Sequence, residues 1–139
     1  MKSIFLFTLA VIALLMGCSS IRSRSVVDLG KFKHIYVQHR LTDDHHIDQL
    51  IVHELQRRGY DASSGPLTLL PENAEIVFTY EDRWEWDFKT YLIELTVELN
   101  TARTEKKLAE GRYYAPSPKA HPPADVVRDL LESVLKAKS

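Results

Sequence analysis

Tyr91-Leu92-Ile93-Glu94-Leu95-Thr96-Val97-Glu98-Leu99-Asn100 is the stretch that decides the fold of this chain. Every second residue from Ile93 to Leu99 is aliphatic, and polar residues occupy the positions between them. Because successive side chains of a strand point to opposite faces, this alternation predicts a β-strand with one buried and one solvated face. A sheet built on it needs other elements to cover its apolar face.

Three further segments predict strands of the same sheet. They are His34–Gln38, Glu75–Glu81 and Lys106–Ala115. The first is rich in residues that favour strands, and the last follows the Tyr91–Asn100 strand after a short polar connection, so we expect these two neighbours to pair. Turn-forming residues predict that residues 61–73 form a loop.

Two helices complete the pattern. The first begins at the N-cap residues Thr42–Asp44 and ends at Gly59, which can adopt the left-handed conformation at which helices often stop. Tyr60 then falls where it can pack back on Leu55. The second helix runs from Pro123 towards the end of the chain, because proline suits the first turn and aliphatic residues follow at helical spacing.

These elements predict an α+β fold in the order β-α-β-β-β-α. We expect a two-layer sandwich in which a four-stranded, mostly antiparallel sheet carries both helices on one face. The size of the chain fits one such domain.

The first residues have the three parts of a secretion signal. Lys2 supplies a positive charge, Ile4–Met16 is almost entirely apolar, and Gly17 and Cys18 end the run. A helix that spans a bilayer core needs about 20 residues, so this shorter run predicts a cleaved signal rather than a transmembrane anchor. Leu15-Met16-Gly17-Cys18 resembles the lipobox of bacterial lipoproteins, with a less usual methionine at its variable position.

The resemblance implies that the signal is cut between Gly17 and Cys18 and that the Cys18 thiol receives diacylglycerol. Stable anchoring takes about two lipid signals, which acylation of the new amine would provide. Ser19 stands where an aspartate would favour retention in the inner membrane, so the sequence is similar to the outer-membrane class. We expect the periplasmic face of the outer membrane, with the membrane itself as a partner; the inner membrane is the less favoured location.

The chain thus divides into three parts. Residues 1–17 are the predicted lipoprotein signal peptide, residues 18–31 the lipidated cysteine with a flexible tether, and residues 32–139 a single α+β periplasmic domain. The tether is predicted because serines alternate there with basic residues. An ordinary cleaved signal, or a short anchor, with an incidental cysteine is the alternative.

The composition excludes several function classes. With 18 basic and 19 acidic residues the formal net charge is −1, so no strong field favours nucleic acid. Cys18 is the only cysteine, and its expected modification leaves no free thiol, which excludes internal disulfides, a cysteine-based zinc site and a cysteine nucleophile. The five glycines are scattered and form no phosphate-binding loop, and no serine stands in a nucleophile elbow. We predict no cofactor, no catalytic residue and no enzymatic activity.

Two groups of polar residues are alternatives to that prediction. Asp44 and Asp48 are one helical turn apart and could share an ion with His39, although a capped, solvated helix start explains the same residues. Glu94 and Glu98 share the polar face of a strand and could act as an acid pair, although such residues usually serve solvation. We therefore predict no metal site.

The segment from Trp84 to Phe88 is the main candidate for a partner surface. Strand alternation places the rings of Trp84, Trp86 and Phe88 on one face. Buried, they would be core; exposed, they would form a platform for a partner or a lipid interface. The apolar positions change parity before Ile93, which predicts a turn, bulge or register break near Lys89-Thr90.

The loop before the last helix is the second part of this candidate surface. Pro116 and Pro118 are two of four prolines within eight residues of that loop. Proline lacks a backbone donor and favours an extended chain, so the loop is expected to be exposed and open to a partner.

The region from Lys31 onward resembles small envelope lipoproteins of uncharacterised domain families. The similarity lies in the first strand, in the helix ending Leu55-x-x-x-Gly59-Tyr60, in Asn73–Val77 and in the stretch from Tyr91 to Gly111. The order of elements is also similar to that of auxiliary lipoproteins of envelope assembly and lipid transport.

The resemblance implies a membrane-anchored, non-enzymatic binding or assembly module of the bacterial envelope, with an envelope protein as its partner. A binder of lipid or another small amphiphile, acting as an accessory of envelope transport, is the second hypothesis. A metal-binding or enzymatic domain is the third.

Overall fold

The computed structural model describes residues 19–116 and 120–137. The predicted cleavage and lipidation residues Gly17 and Cys18, and Pro118 of the proline-rich loop, lie outside the described residues. Among the described residues no helix is long and apolar enough to cross a membrane.

Six strands form one mixed sheet, and two helices pack on it. The strands follow the spatial order β1-β6-β5-β4-β2-β3. Their bounds are β1 Ser20–Ser25, β2 His34–Gln38, β3 Asp61–Gly65, β4 Ile76–Asp87, β5 Lys89–Thr101 and β6 Lys107–Tyr114. The helices are α1 Ile47–Arg57 and α2 Pro123–Lys136, and short 3-10 turns occupy Leu29–Lys31 and Leu67–Leu69.

The prediction of a four-stranded, mostly antiparallel sheet is therefore wrong, although the fold is α+β. The sheet has six strands, and β2 pairs in parallel with both β3 and β4. Only the β1-β6-β5-β4 half is antiparallel throughout. The two strands absent from the prediction are the two edges of the sheet.

The β1 edge comes from the segment that the sequence predicted as a flexible tether. Ser20–Ser25 pairs along its whole length with Ala109–Tyr114 of β6. Ser25 is buried, and Ser23 Oγ lies 2.6 Å from Ser133 Oγ of α2. Backbone pairing and these two serine contacts hold the strand, since its side chains alone have little preference for a strand.

The β3 edge comes from the segment predicted as a loop. Asp61–Gly65 is short and polar, yet α1 returns the chain so that it lies parallel to β2. The side chain of Tyr36 crosses this strand and donates a hydrogen bond to the carbonyl of Pro66 at 2.9 Å. A Cβ atom at Gly65 would collide with the Tyr36 hydroxyl, so only glycine fits the strand at this point.

Both helices contribute to one core on one face of the sheet. The helical residues with almost no exposure include Ile51 and Leu55 of α1, together with Leu130 and Val134 of α2. Each fully buried side chain of this size contributes about 1.5–3 kcal/mol relative to exposure. A Cβ atom at Gly111 would collide with Val134, so the missing side chain lets α2 approach β6 closely.

The end of α1 confirms the sequence prediction, whereas its start differs from it. Gly59 has a φ of 93°, and the amide of Tyr60 donates to the carbonyl of Leu55 at 3.1 Å, as in a Schellman ending. At the start, His46 is left-handed and provides no side-chain cap. Asp43 replaces that cap from a distance: its carboxylate accepts a hydrogen bond from the amide of Asp48 at 3.1 Å.

Candidate functional site

The β4–β5 hairpin is the longest element of the fold, and one of its ends stands free. Asp87 pairs with Lys89, so Phe88 alone forms the turn, with a φ of 60°. The register shifts between Arg83 and Trp84. The predicted break in the strand pattern is thus confirmed as a bulge followed by a turn.

The free end of the hairpin has only two strands. On one side, the pairing of β5 with β6 stops at Glu94 and Tyr114. On the other side, the pairing of β4 with β2 stops at Phe78. Within residues 19–116 and 120–137, the segment 84–92 therefore has no strand on either side and extends beyond the sheet. We call this segment the hairpin tip.

The three aromatic residues of the segment have different environments. Trp84 is partly buried and packs against the core. Trp86 is 75% exposed and Phe88 is 95% exposed. The sequence alone is compatible with burial of all three rings in the core or with an exposed aromatic platform. In the structure Trp84 belongs to the first case, and Trp86 and Phe88 belong to the second. The rings beyond Trp84 contact little of the domain.

The base of the hairpin tip is held firmly in place. The ring of His45 stacks on Trp84 with centroids 3.7 Å apart. Trp84 Nε1 donates to Asp82 at 2.6 Å, and Arg40 Nη1 donates to the other oxygen of the same carboxylate at 2.8 Å. Contacts with the loop before α1 thereby hold β4 in place at Asp82 and Trp84, next to the exposed rings.

The register of the sheet places the start of β1 at the same end as the hairpin tip. Ser20 pairs with Tyr114, Tyr114 pairs with Glu94, and Glu94 pairs with Arg83. The chain enters β1 from Cys18, two residues before Ser20. The predicted lipidation site therefore joins the domain at the end from which the hairpin tip projects.

Pro116 lies at this end as well. It follows Ala115, whose amide donates to the carbonyl of Ile93 at 2.9 Å. After the proline-rich loop the chain returns beside Ser19, whose hydroxyl lies 3.5 Å from His121 Nε2. The described residues of the candidate partner surface, namely Trp84, Trp86, Phe88 and Pro116, thus all belong to one end of the sheet. We call this end of the sheet the lipid-proximal end, after the predicted lipidation of Cys18.

The acidic residues before α1 do not form the metal site considered from the sequence. Asp44 is exposed, whereas Asp48 is buried with Oδ2 3.1 Å from His39 Nδ1. No cluster of three ligating residues occurs within residues 19–116 and 120–137. The acid that stabilises the start of α1 is instead Asp43, whose carboxylate accepts hydrogen bonds from backbone amides there. The sequence does not single out this residue as a ligand.

Asp43 is buried and charged, and its partners are all donors. Burial disfavours the carboxylate, but hydrogen bonds from Tyr80 and from the backbone of residues 45, 47 and 48 together hold the pKa of Asp43 below its usual range. The Tyr80 hydroxyl donates at 2.6 Å. Burial, and then this bond to a carboxylate, raise the pKa of Tyr80 far above its usual value. The pair joins β4 to the helix start.

The acids on the open face of the sheet are individually paired. Glu94 lies between Arg112 and Arg83, at 2.7 and 3.0 Å. These guanidinium groups, Arg112 foremost, hold the pKa of Glu94 below its usual range. Glu98 pairs with Lys107 at 2.9 Å. Lys107 also contacts Glu110 at 3.0 Å, so these acids are held in ion pairs across the strands, an arrangement that stabilises a solvated sheet face.

Two cavities on the surface of the described residues are large enough to be considered for ligand binding. One, of about 350 Å³, lies on the open face beside Arg40, Thr79 and Glu98. Another, of about 310 Å³, lies beside Arg22 and Arg112. The space between sheet and helices is filled by side chains with almost no exposure. The groove that a lipid-binding accessory would need there is occupied by the core.

Sequence reasoning does not reveal that the predicted lipidation site and the hairpin tip belong to the same end of the sheet. The reason is β1. Its serines and arginines do not predict a strand, and the segment forms one by pairing with β6. A weak signal is present in Ile21 and in the buried Ser25, which share the odd positions of the segment.

Neither a family model nor a curated protein sequence matches the chain. Among solved structures it is similar to the PelC dodecamer from Paraburkholderia phytofirmans, with a TM-score of 0.64 at 16% identity over 88% of this chain and 100% of that chain. A point variant of the same dodecamer gives 0.64 at 14% identity, over 82% and 97% of the two chains. A minor lipoprotein from Acinetobacter baumannii aligns over 77% and 87% of the two chains at 18% identity, with a TM-score of 0.37. The two PelC comparisons show that the chain shares the fold of PelC.

Proposed function

We propose that this chain is a lipid-anchored, non-enzymatic binding or assembly module on the periplasmic face of the bacterial outer membrane. The lipobox-like sequence ending at Cys18 supports the anchor and the compartment. The observation that carries the proposal is the register that places Ser20 level with Glu94 and Arg83. Because of it, the lipid and the most exposed aromatic residues of the domain belong to one end of the molecule.

The lipid-proximal end is the proposed interaction surface. It contains Trp84, Trp86, Phe88 and Pro116, and the proline-rich loop also includes Pro118. A protein bound there would meet this chain within a few nanometres of the bilayer, since only Ser19 separates Cys18 from β1. Exposed aromatic side chains on a braced support are typical of surfaces that contact a protein partner or a lipid interface.

Further copies of the chain are one class of partner consistent with this proposal. PelC, whose fold the chain shares, is a dodecamer. Among the residues that the structure describes, the two edge strands β1 and β3 each have no strand on their outer side. Sedimentation of the full chain in mild detergent distinguishes the cases, because self-assembly gives a mass several times that of one chain. A mass equal to one chain leaves a different envelope protein as the partner.

The other two hypotheses find less support. A lipid-carrying accessory needs a groove that the filled core does not leave. A metal-binding role lacks a ligand cluster in the described part of the chain. We propose that the chain has no catalytic residue and no cofactor.

Palmitate labelling of the full chain in cells tests the anchor. The wild-type chain is expected to be labelled and to fractionate with the outer membrane, and Cys18→Ala is expected to lose the label and accumulate as the precursor. A wild-type chain without label, together with a Cys18→Ala chain that is processed like the wild type, would contradict the anchor.

Site-specific crosslinking tests the interaction surface. A photo-crosslinker at His121, beside Ser19 at the lipid-proximal end, is expected to capture a specific envelope protein. Thr104 is the matched control, because it is exposed in the β5–β6 turn at the opposite end of the sheet. Equal capture from both positions would contradict the proposed surface.

A further inference from the structure

We propose that Trp86 and Phe88 enter the interfacial layer of the membrane leaflet that holds the lipid on Cys18. The domain would then have two contacts with its own membrane, one covalent and one formed by the hairpin tip. This inference rests on the lipid anchor proposed above and assigns lipid to the tip, while the proline-rich loop remains for a protein partner.

The hairpin tip extends farther from the sheet than the lipidated residue can. Cys18 precedes Ser20 by two residues, so its Cα lies within about 7 Å of that of Ser20. Ser20 is level with Glu94. From Glu94 to Phe88 a strand extends for about 20 Å. A membrane that contains the acyl chains of Cys18 therefore lies within the reach of the tip.

The two contacts are also close together along the membrane plane. Strands β6 and β5 separate β1 from β4. Three spacings of about 4.8 Å amount to about 15 Å between the strand that carries the lipid and the strand that carries Trp86. Both contacts would thus fall within a patch of a few lipid molecules, and the short link through Ser19 leaves the domain little freedom to turn the tip away.

The side chains of the tip suit a lipid–water interface. Tryptophan and other aromatic rings concentrate at the headgroup level of membranes, where one part of the ring is apolar and another is wet. Lys89 lies with its Nζ 5.3 Å from the ring centre of Tyr91, so a cation stands beside the exposed aromatic residues. Anionic headgroups attract such a cation. The acids Glu85 and Asp87 are exposed, and strand alternation places them on the opposite face of the hairpin from Trp86.

The backbone at Phe88 supports the same conclusion. Its φ of 60° is unfavourable for a bulky side chain, and glycine or asparagine would close this turn at lower cost. The phenylalanine ring is 95% exposed, so packing within the domain does not compensate for the strain. Strained residues of this kind often serve a function outside the fold. Insertion into the interface gives the ring an apolar environment that the domain does not provide.

Tryptophan fluorescence of the full, lipidated chain in vesicles tests the proposal. The Trp84→Phe variant leaves Trp86 as the sole tryptophan, and Trp86→Phe leaves Trp84. The vesicles contain phosphatidylethanolamine, phosphatidylglycerol and a phosphatidylcholine that is brominated either near the headgroup or near the end of its acyl chains. We expect Trp86 emission to be quenched relative to vesicles without bromine, and more strongly by the bromines near the headgroup.

The partly buried Trp84 is expected to be quenched much less than Trp86 in the same vesicles. Phe88→Ser should reduce the quenching of Trp86, whereas Leu41→Ser, at an exposed leucine outside the tip, should leave it unchanged. A Trp86 signal that is unquenched in a palmitate-labelled chain overturns the proposal and leaves the anchor intact. Absence of the label in the wild-type chain overturns the anchor instead.

A second variant keeps the test independent of the tryptophan substitutions. Phe88→Cys, labelled with an environment-sensitive fluorophore, retains Trp84 and its contacts with the loop before α1. Cys18 is the only native cysteine, so a lipidated chain accepts the label at residue 88 alone. Increased emission on vesicles supports insertion. Unchanged emission, together with crosslinking of residue 88 to a protein in cells, would assign the tip to a protein and overturn the proposal.

Discussion

The hairpin turns at the two ends of the sheet differ in the side chains that they expose. At the end opposite the predicted anchor, the β5–β6 turn is polar, and hydrogen bonds of its own side chains close it. Thr101 Oγ1 lies 2.6 Å from Thr104 Oγ1 and accepts a hydrogen bond from the amide of Lys106 at 2.9 Å. At the lipid-proximal end, the turn at Phe88 exposes large rings to solvent. The most exposed aromatic rings therefore lie at the end where the chain enters from the predicted lipidation site, and an interaction is expected there.

The largest effect should come from matched phenylalanines in the β4–β5 hairpin. Phe78 is fully buried in the six-stranded part of the sheet, and Phe88 is at the turn. Phe78→Ala should lower the free energy of unfolding by about 3–5 kcal/mol. Phe88→Ala should change it by less than about 0.5 kcal/mol. Urea denaturation of the full chain in mild detergent measures both. Similar losses would show that the tip is part of the core.

The support of the hairpin base can be broken at Asp43. Asp43→Ala removes the acceptor of the buried Tyr80 hydroxyl and of the first amides of α1, so we expect a loss of about 2 kcal/mol. Asp44→Ala is the matched control. The Asp44 carboxylate is exposed, so its removal should lower the free energy of unfolding much less. Equal losses would contradict the role of Asp43 as the distant cap.

The same residue gives a pH dependence with a defined sign. The pKa of Asp43 is lowered in the folded chain, so its charged form stabilises the fold above the unfolded pKa, about 3.9. This stabilisation is lost as pH falls through the folded value. The difference in unfolding free energy between wild type and Asp43→Ala should therefore be constant near neutral pH and shrink in acid. A difference that grows in acid would reverse the assignment.

A smaller effect is expected at the two tryptophans. Trp84→Leu loses the stack on His45 and the hydrogen bond to Asp82, and should cost about 1 kcal/mol more than Trp86→Leu. Thermal unfolding of the two variants in detergent measures the difference. An equal effect would mean that the exposed ring also has partners within the domain.

The smallest effect should be a gain. Phe88→Gly relieves a left-handed backbone in a bulky residue, and it should change stability by no more than about 1 kcal/mol, in the stabilising direction. In vesicles the same variant should weaken the quenching of Trp86. A variant that is both less stable and fully inserted would contradict the view that the ring at this turn serves the membrane and not the fold.

The sequence predicts the interior of this fold better than its edges. The strands His34–Gln38 and Tyr91–Asn100 are recognisable because burial imposes alternation or a run of β-formers on them. Edge strands are exposed on one side and need no such pattern, so Ser20–Ser25 and Asp61–Gly65 give no local signal of a strand. Their pairing depends on partners distant in the chain, which local preference does not report.

The same limit applies to the candidate site. The aromatic residues Trp84, Trp86 and Phe88 stand out by composition, and parity predicts a nearby break in the strand. Their division into a braced residue and two exposed ones depends on where β6 and β2 stop, at Tyr114 and at Gln38. That boundary is a property of the assembled sheet and has no signal within the aromatic segment.

The pairing of β1 with β6 has a consequence for the order of events in the export that the sequence predicts. β6 is the last strand of the sheet in chain order, so in such an export Ser20–Ser25 has no pairing partner until most of the sequence has crossed the inner membrane. The residues that follow the predicted cleavage site are then still extended and accessible to the enzymes that would modify Cys18. We expect lipid attachment to precede closure of the sheet, and the anchored cysteine to be drawn towards the domain surface only when the C-terminal part has folded.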